Sequence, residues 1–260
     1  MQAHISPDGR RAVFWGERTG PPRIWLADTA TTEVAPIGPS GARHPVWHPD
    51  GRIVFALEPS ATETVEQIFA ATATGVPGAG VRVQLCAMRD DGSDVVQLTD
   101  DVAQDQRPAV SQDGRRIAFI SNREGPIGIW LLDLDEPSLE PTGVLGYRPW
   151  WSLDGNTIFH IGFPIPGQRH QIHAWRIGDA ASVPIAADDT GLTHGPFADP
   201  SGDRLLVHSN RTGHWQIYEL PLDASPMRSC TPAAFTDKPT GHGTRAADGT
   251  MTFDAMTMDD

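Results

Sequence analysis

The chain has 260 residues and a formal net charge of −13, from 20 basic and 33 acidic side chains. That length holds one domain with a substantial core and excludes a second domain of catalytic size beside it, while the acidic balance disfavours nucleic acid and anionic membranes as partners. A hydrophobic content of 39% with 26 Gly and 23 Pro suits many short strands and turns; no window keeps a helical period, 61–72 coming nearest.

The first unit spans about 1–38, with an inner strand through His4 and Ile5, a second strand over 12–15, a third over 23–27 and an outer strand near 32–35. Pro21 and Pro22 lack ladder donors, so the loop over 17–22 projects from the sheet. The second unit, 39–100, carries about twenty residues more than its neighbours. Its third strand, Asp91-Gly92 turn and fourth strand are read over 83–99, which puts the excess in 58–80; Gln67, Ile68 and Phe69 mimic a third strand and keep a hairpin there as an alternative. Units over 101–143, 144–190 and 191–237 are more regular, and 238–260 is an incomplete last one.

A turn marks each unit: Asp8-Gly9, Asp50-Gly51, Asp113-Gly114, Asp154-Gly155 and Asp248-Gly249, with Ser201-Gly202 as a degenerate copy. Their spacings of 42, 63, 41, 47 and 47 residues give the period of a four-stranded propeller blade with one outlier. Pro45, Pro108, Pro149 and Pro196 precede the turns, and apolar strands beginning at Ala12, Ile53, Ile117, Ile158 and Leu205 follow them. Ser121-Asn122-Arg123 recurs as Ser209-Asn210-Arg211. Third strands carry Ile24-Trp25, Ile129-Trp130, Ile172-His173 and Ile217-Tyr218.

This pattern, Pro-x-x-Ser-Pro-Asp-Gly, then Ile-Ala-Phe, Ser-Asn-Arg-x-Gly and an Ile-aromatic strand, resembles the repeat of TolB-type β-propellers over nearly the whole chain. The resemblance implies an all-β, six-bladed propeller with an incomplete last blade, and a protein or peptide partner across its loop face. More distantly the chain is similar to oligogalacturonate lyases, which use such blades with central histidines and a metal for β-elimination from uronates. No motif here matches their catalytic set residue by residue. The absence of a Gly-x-Ser-x-Gly nucleophile elbow argues against a complete peptidase of the propeller-plus-hydrolase type.

In a propeller of this connectivity the first strand of each blade lines the central channel. Counting six residues back from each turn Asp gives Gln2, His44, Arg107, Arg148, Gly195 and His242, with His194 beside Gly195. Imidazoles and guanidiniums at equivalent points of a ring make a locally positive funnel, suited to a carboxylate, phosphate or sugar acid. His44, Arg107, Arg148, His194 and His242 are therefore the candidate ligand-binding residues, with Trp150 able to stack on a sugar ring from the inner strand. His44, His194 and His242 are the weak candidates for a divalent ion; a binding module needs no cofactor. His160, His173 and His208 read as half-buried strand residues, and Trp25, Phe119, Trp130 and Trp151 as packing between sheets.

Cys86 and Cys230 fall in different units, so no bridge is expected. The first residues show no basic start followed by an apolar run, which reads as cytoplasmic, or as periplasmic or secreted had a leader been removed. The incomplete last blade leaves an open edge that could pair with a second copy in a homodimer.

Overall fold

In a computed structural model, described for residues 3–17, 20–31, 33–58, 82–163, 171–185, 193–231, 240–245, 249 and 251–255, the chain is built from β-strands and turns. Five four-stranded antiparallel sheets follow one another. The first is β1 (His4–Ile5), β2 (Arg11–Gly16), β3 (Arg23–Asp28) and β4 (Val34–Ile37); the second is β5 (Ala42–Trp47), β6 (Ile53–Leu57), β7 (Gln84–Met88) and β8 (Val96–Gln97). The third holds β9 (Gln106–Val110), β10 (Arg116–Ser121), β11 (Gly128–Asp133) and β12 (Ser138–Leu145), and the fourth β13 (Tyr147–Trp151), β14 (Thr157–Ile161), β15 (Ile172–Arg176) and β16 (Val183–Pro184). The fifth is β17 (Thr193–Ala198), β18 (Arg204–Ser209), β19 (Gln216–Pro221) and β20 (Arg228–Ser229).

The described residues thus form five blades, where six with an incomplete last one were expected. In the sixth place stands a two-stranded sheet, β21 (Thr240–Arg245) with β22 (Met251–Ala255). The inner strands touch in cyclic order, β1 to β5, β9, β13, β17, β21 and back to β1, which makes the sheets a propeller around a shared axis. Strand β12 runs two residues past the boundary expected at 143. The hairpin alternative near Gln67, the helical window over 61–72 and Gln2 lie outside the described residues, as do the side chains along the edge strand β22.

The repeated turn follows from its residues. Ser6, Pro7, Asp8 and Gly9 close a four-residue turn through Gly9 N to Ser6 O at 2.9 Å, and Gly9 takes the positive φ (75°) that a left-handed fourth position requires. Ser6 Oγ donates to Asp8 Oδ1 at 2.6 Å while accepting from Arg11 N at 3.0 Å. Ser111 with Asp113 and Ser152 with Asp154 repeat this clamp. In blade two His48 stands in for the serine, with Nδ1 2.6 Å from Asp50 Oδ1 and Nε2 2.9 Å from Gly114 O in the next blade.

The core lies between neighbouring sheets. Val46, Leu85, Ile117, Phe119 and Trp130 form one apolar cluster between blades two and three, and Phe159, Ile161, Leu205 and Tyr218 another between blades four and five. Full burial of such side chains contributes about 1.5–3 kcal/mol each. The Ser-Asn-Arg motif belongs to this framework: Arg123 lies over the rings of Trp130 and Phe119 and pairs with Asp101 and the fully buried Asp105, both at 2.7 Å. Arg211 lies over Tyr218 in the same way.

Candidate ligand-binding channel

The inner strands β5, β9, β13 and β17 depart from ladder geometry at the same place. The register to the second strand slips between Arg43 and Val46, Tyr147 and Trp150, His194 and Phe197, and opposite Arg107 between Ala118 and Ile120. At the slip the backbone turns left-handed: φ is 52° at His44, 52° at Arg107, 56° at Arg148 and 65° at Gly195. These are the positions six residues ahead of each turn. A bulge re-aims the side chain it carries, and Pro45, Pro108, Pro149 and Pro196 follow where no ladder donor is needed. Glycine accepts this conformation freely; at the other three positions it costs about 1–3 kcal/mol each.

The bulges bring His44, Arg107, Arg148 and Gly195 around one end of the channel, where a cavity of about 30 Å³ opens, room for about one or two waters. Its electrostatics are those of crowded cations. Burial disfavours the Arg107 charge, and the Arg148 guanidinium adds to the effect, with Tyr147 acting the other way. Burial, then Arg107, Arg148 and Arg43, hold the His44 imidazole well below its usual pKa. Burial pushes the Tyr147 phenol up to about 12 against the pull of the two arginines. The buried His44 Nδ1 has no hydrogen-bond partner among the described residues, and its ring meets Trp15 edge-on at 5.3 Å.

Four residues ahead of each turn come His4, Val46, Ala109, Trp150 and Phe197. His4 stacks on Trp150 at 5.4 Å between ring centroids, and Phe197 stands edge-on to both, at 5.8 and 4.8 Å. His4, Val46, Trp150 and Phe197 line the narrow cavity and also a wider one, about 410 Å³, at the turn end of the inner strands. The channel is therefore partitioned into two mouths.

Of the residues expected at the ring, His44, Arg107 and Arg148 converge as the repeat predicts. His194 sits beside them in blade five, 5.6 Å from His208 and 5.3 Å from Trp215 between ring centroids. His242 lies in β21, but its side chain is outside the described residues, so the proposed His44, His194 and His242 cluster is not seen as a unit. Among the described residues no three His, Cys, Asp or Glu stand close enough together to hold a metal ion. Trp150 does face the channel, half-buried under His4.

His208 lies in β18 as expected but is buried rather than half-buried, and burial, then the Arg148 charge, hold its pKa well below the usual value. His160 is fully buried rather than half-buried. His4 and Tyr147 were not singled out from sequence, although the positional count that found Arg107 finds His4 when taken two residues further along each strand.

No protein-family model matches the chain. It is 26% identical over 131 residues to a TolB homologue of Chlorobium luteolum, which covers 50% of this chain and 26% of that protein. The chain spans less than half the length of the curated relatives it matches. Among solved structures, TolB from Acinetobacter baumannii superposes with a TM-score of 0.70 at 17% identity, over 90% of this chain and 54% of that one. The fold is that of a TolB-type propeller. An oligogalacturonate lyase from Vibrio parahaemolyticus shares the TolB-like architecture with a TM-score of 0.63 at 13% identity, over 100% of this chain and 71% of that one. Among the described residues no helix is long and apolar enough to cross a membrane.

Proposed function

We propose that this TolB-like propeller is a non-enzymatic binding module whose narrow channel mouth takes an anionic group. That group is a carboxylate carried by a protein or peptide partner, or by a small acidic molecule. The observation that carries the reading is the left-handed backbone at His44, Arg107 and Arg148. Strain kept at three equivalent positions, where Gly195 shows a relaxed alternative, is characteristic of a ligand clamp. An incoming carboxylate relieves the mutual opposition of the two guanidiniums and accepts charge-assisted hydrogen bonds from them. The small volume of this end admits the tip of a ligand rather than a whole sugar ring, which favours a chain end or side chain reaching in. Likeness to TolB proteins favours a protein partner and a periplasmic setting over the cytoplasmic one.

A second reading is supported by the fold shared with oligogalacturonate lyase and by the His44 imidazole at this mouth. A lyase would use a divalent ion to neutralise a uronate carboxylate and a base to take the carbon-bound proton. A thermal-shift screen against short peptides, organic acids and uronates, with and without chelator, separates the two. Stabilisation by carboxylates that persists in chelator and disappears in Arg107→Ala/Arg148→Ala supports the binding module. Stabilisation that needs a metal, with unsaturated product from oligogalacturonate, supports the lyase, and carboxylate binding unchanged in the double variant overturns the anion clamp.

A further inference from the structure

The wider mouth, at the turn end of the inner strands, is lined by Trp47, Trp150, Trp151, Phe197, Val110 and Leu153, with Gln112 at its rim. Its volume, about 410 Å³, falls in the range of small-molecule pockets, and its walls are apolar in the manner of such sites. Among the described residues, most of the polar groups around it are engaged. The indole N–H groups of Trp47 and Trp151 donate to His4 O and Ala109 O, both at 2.9 Å; Trp151 is buried beneath the Arg116 guanidinium, so the half-buried Trp47 offers the hydrocarbon surface. The Ser6, Ser111 and Ser152 hydroxyls are committed to their turn aspartates, and Arg245 is held by Asp199 and Glu219 at 2.7 and 3.0 Å. His4 is kept neutral by burial, which pushes its pKa down to about 3.

We propose that this wider mouth is a second ligand site, separate from the anion clamp, which takes an uncharged aromatic ring between Trp47 and the His4–Trp150–Phe197 partition. With Arg245 paired and the Ser6, Ser111 and Ser152 hydroxyls committed, the described lining rewards flat apolar surface and penalises charge, the opposite preference to the far end of the channel. Gln112 supplies an amide able to orient a ring N–H or carbonyl at the rim. The chain is thereby built to hold two chemically unlike groups on one axis.

The test uses the whole chain and 5-fluoroindole as the probe, followed by ¹⁹F NMR, in the native sequence, in Gln112→Trp, and in Arg107→Ala/Arg148→Ala, with circular dichroism confirming the fold of each. Gln112 is exposed, so a larger side chain there fills the mouth without entering the core. Saturable one-site binding that weakens about tenfold or more in Gln112→Trp and persists in the double arginine variant supports the proposal. Absence of saturable binding to the native chain, binding unaffected by Gln112→Trp, or binding lost with the arginines overturns it.

Discussion

Arg107 and Arg148 occupy the same position in adjacent blades, on backbones with φ of 52° and 56°, and the charge of Arg148 works against that of Arg107. The proposed anion clamp is built on this pair of cations and the strained backbone that carries them. The conformation is set by the bulge, so it is independent of the side chain, and Gly195 shows the relaxed version one blade on.

Arg107→Gly is therefore expected to trade function for stability. It removes a left-handed non-glycine residue, a strain of about 1 kcal/mol or more, together with a like-charge contact. The thermal midpoint should hold or rise by about 2–4 °C, while carboxylate binding falls. Differential scanning calorimetry beside ligand titration checks both, and a large drop in the midpoint would show the arginine to be structural.

Arg123 sets the contrast, because its partners place it in the framework. Arg123→Ala leaves Asp105 buried without its cation, in surroundings that already raise its pKa through burial. The expected loss is about 3 kcal/mol or more, seen as a lower urea midpoint, and Arg123→Ala/Asp105→Asn should recover part of it. Ligand binding by the folded fraction should be unchanged, since neither residue lines the channel cavities.

The buried histidines predict acid sensitivity. Burial holds His160 at about 4 and His4 at about 3, below the roughly 6.5 of an unfolded chain. Below pH 6.5 the unfolded chain binds protons that the native histidines refuse. The stability they confer is thus complete above about 6.5 and declines as the pH falls toward 4, by at most about 1.4 kcal/mol per pH unit for each group. His160 is fully buried between its neighbours in the sheet, so its charged form meets the whole cost of desolvation. His160→Leu should accordingly flatten the dependence of urea stability on pH between 6.5 and 4; a slope equal to that of the native chain would assign the acid sensitivity elsewhere.

Much of the fold was legible because its instructions are local and repeated. The Ser-Pro-Asp-Gly turn needs four residues, and its Gly9, Gly51, Gly114, Gly155 and Gly202 all take the positive φ that the turn demands. Counting back from those turns found His44, Arg107 and Arg148, since inner strands of equal length deliver equivalent residues to the same depth. The left-handed conformation was not legible, because arginine and histidine give no sign of it and only the pairing of β5, β9 and β13 with their neighbours creates the bulge. Nor was the partition: His4, Trp150 and Phe197 come from three different blades, and their stacking is a property of the closed ring. The incomplete last blade was legible from the few residues that follow the turn at Asp248-Gly249, and the described residues there form the two-stranded sheet of β21 and β22.

The central claim is that Arg107 and Arg148 jointly grip one carboxylate. The most direct measurement is NMR of the arginine Nε–Hε resonances, assigned through Arg107→Lys and Arg148→Lys, during titration with a carboxylate ligand selected by the thermal-shift screen. The account predicts that both resonances shift together and saturate with one dissociation constant, while that of Arg123 stays in place. Saturable binding with the Arg107 and Arg148 resonances unmoved would contradict it.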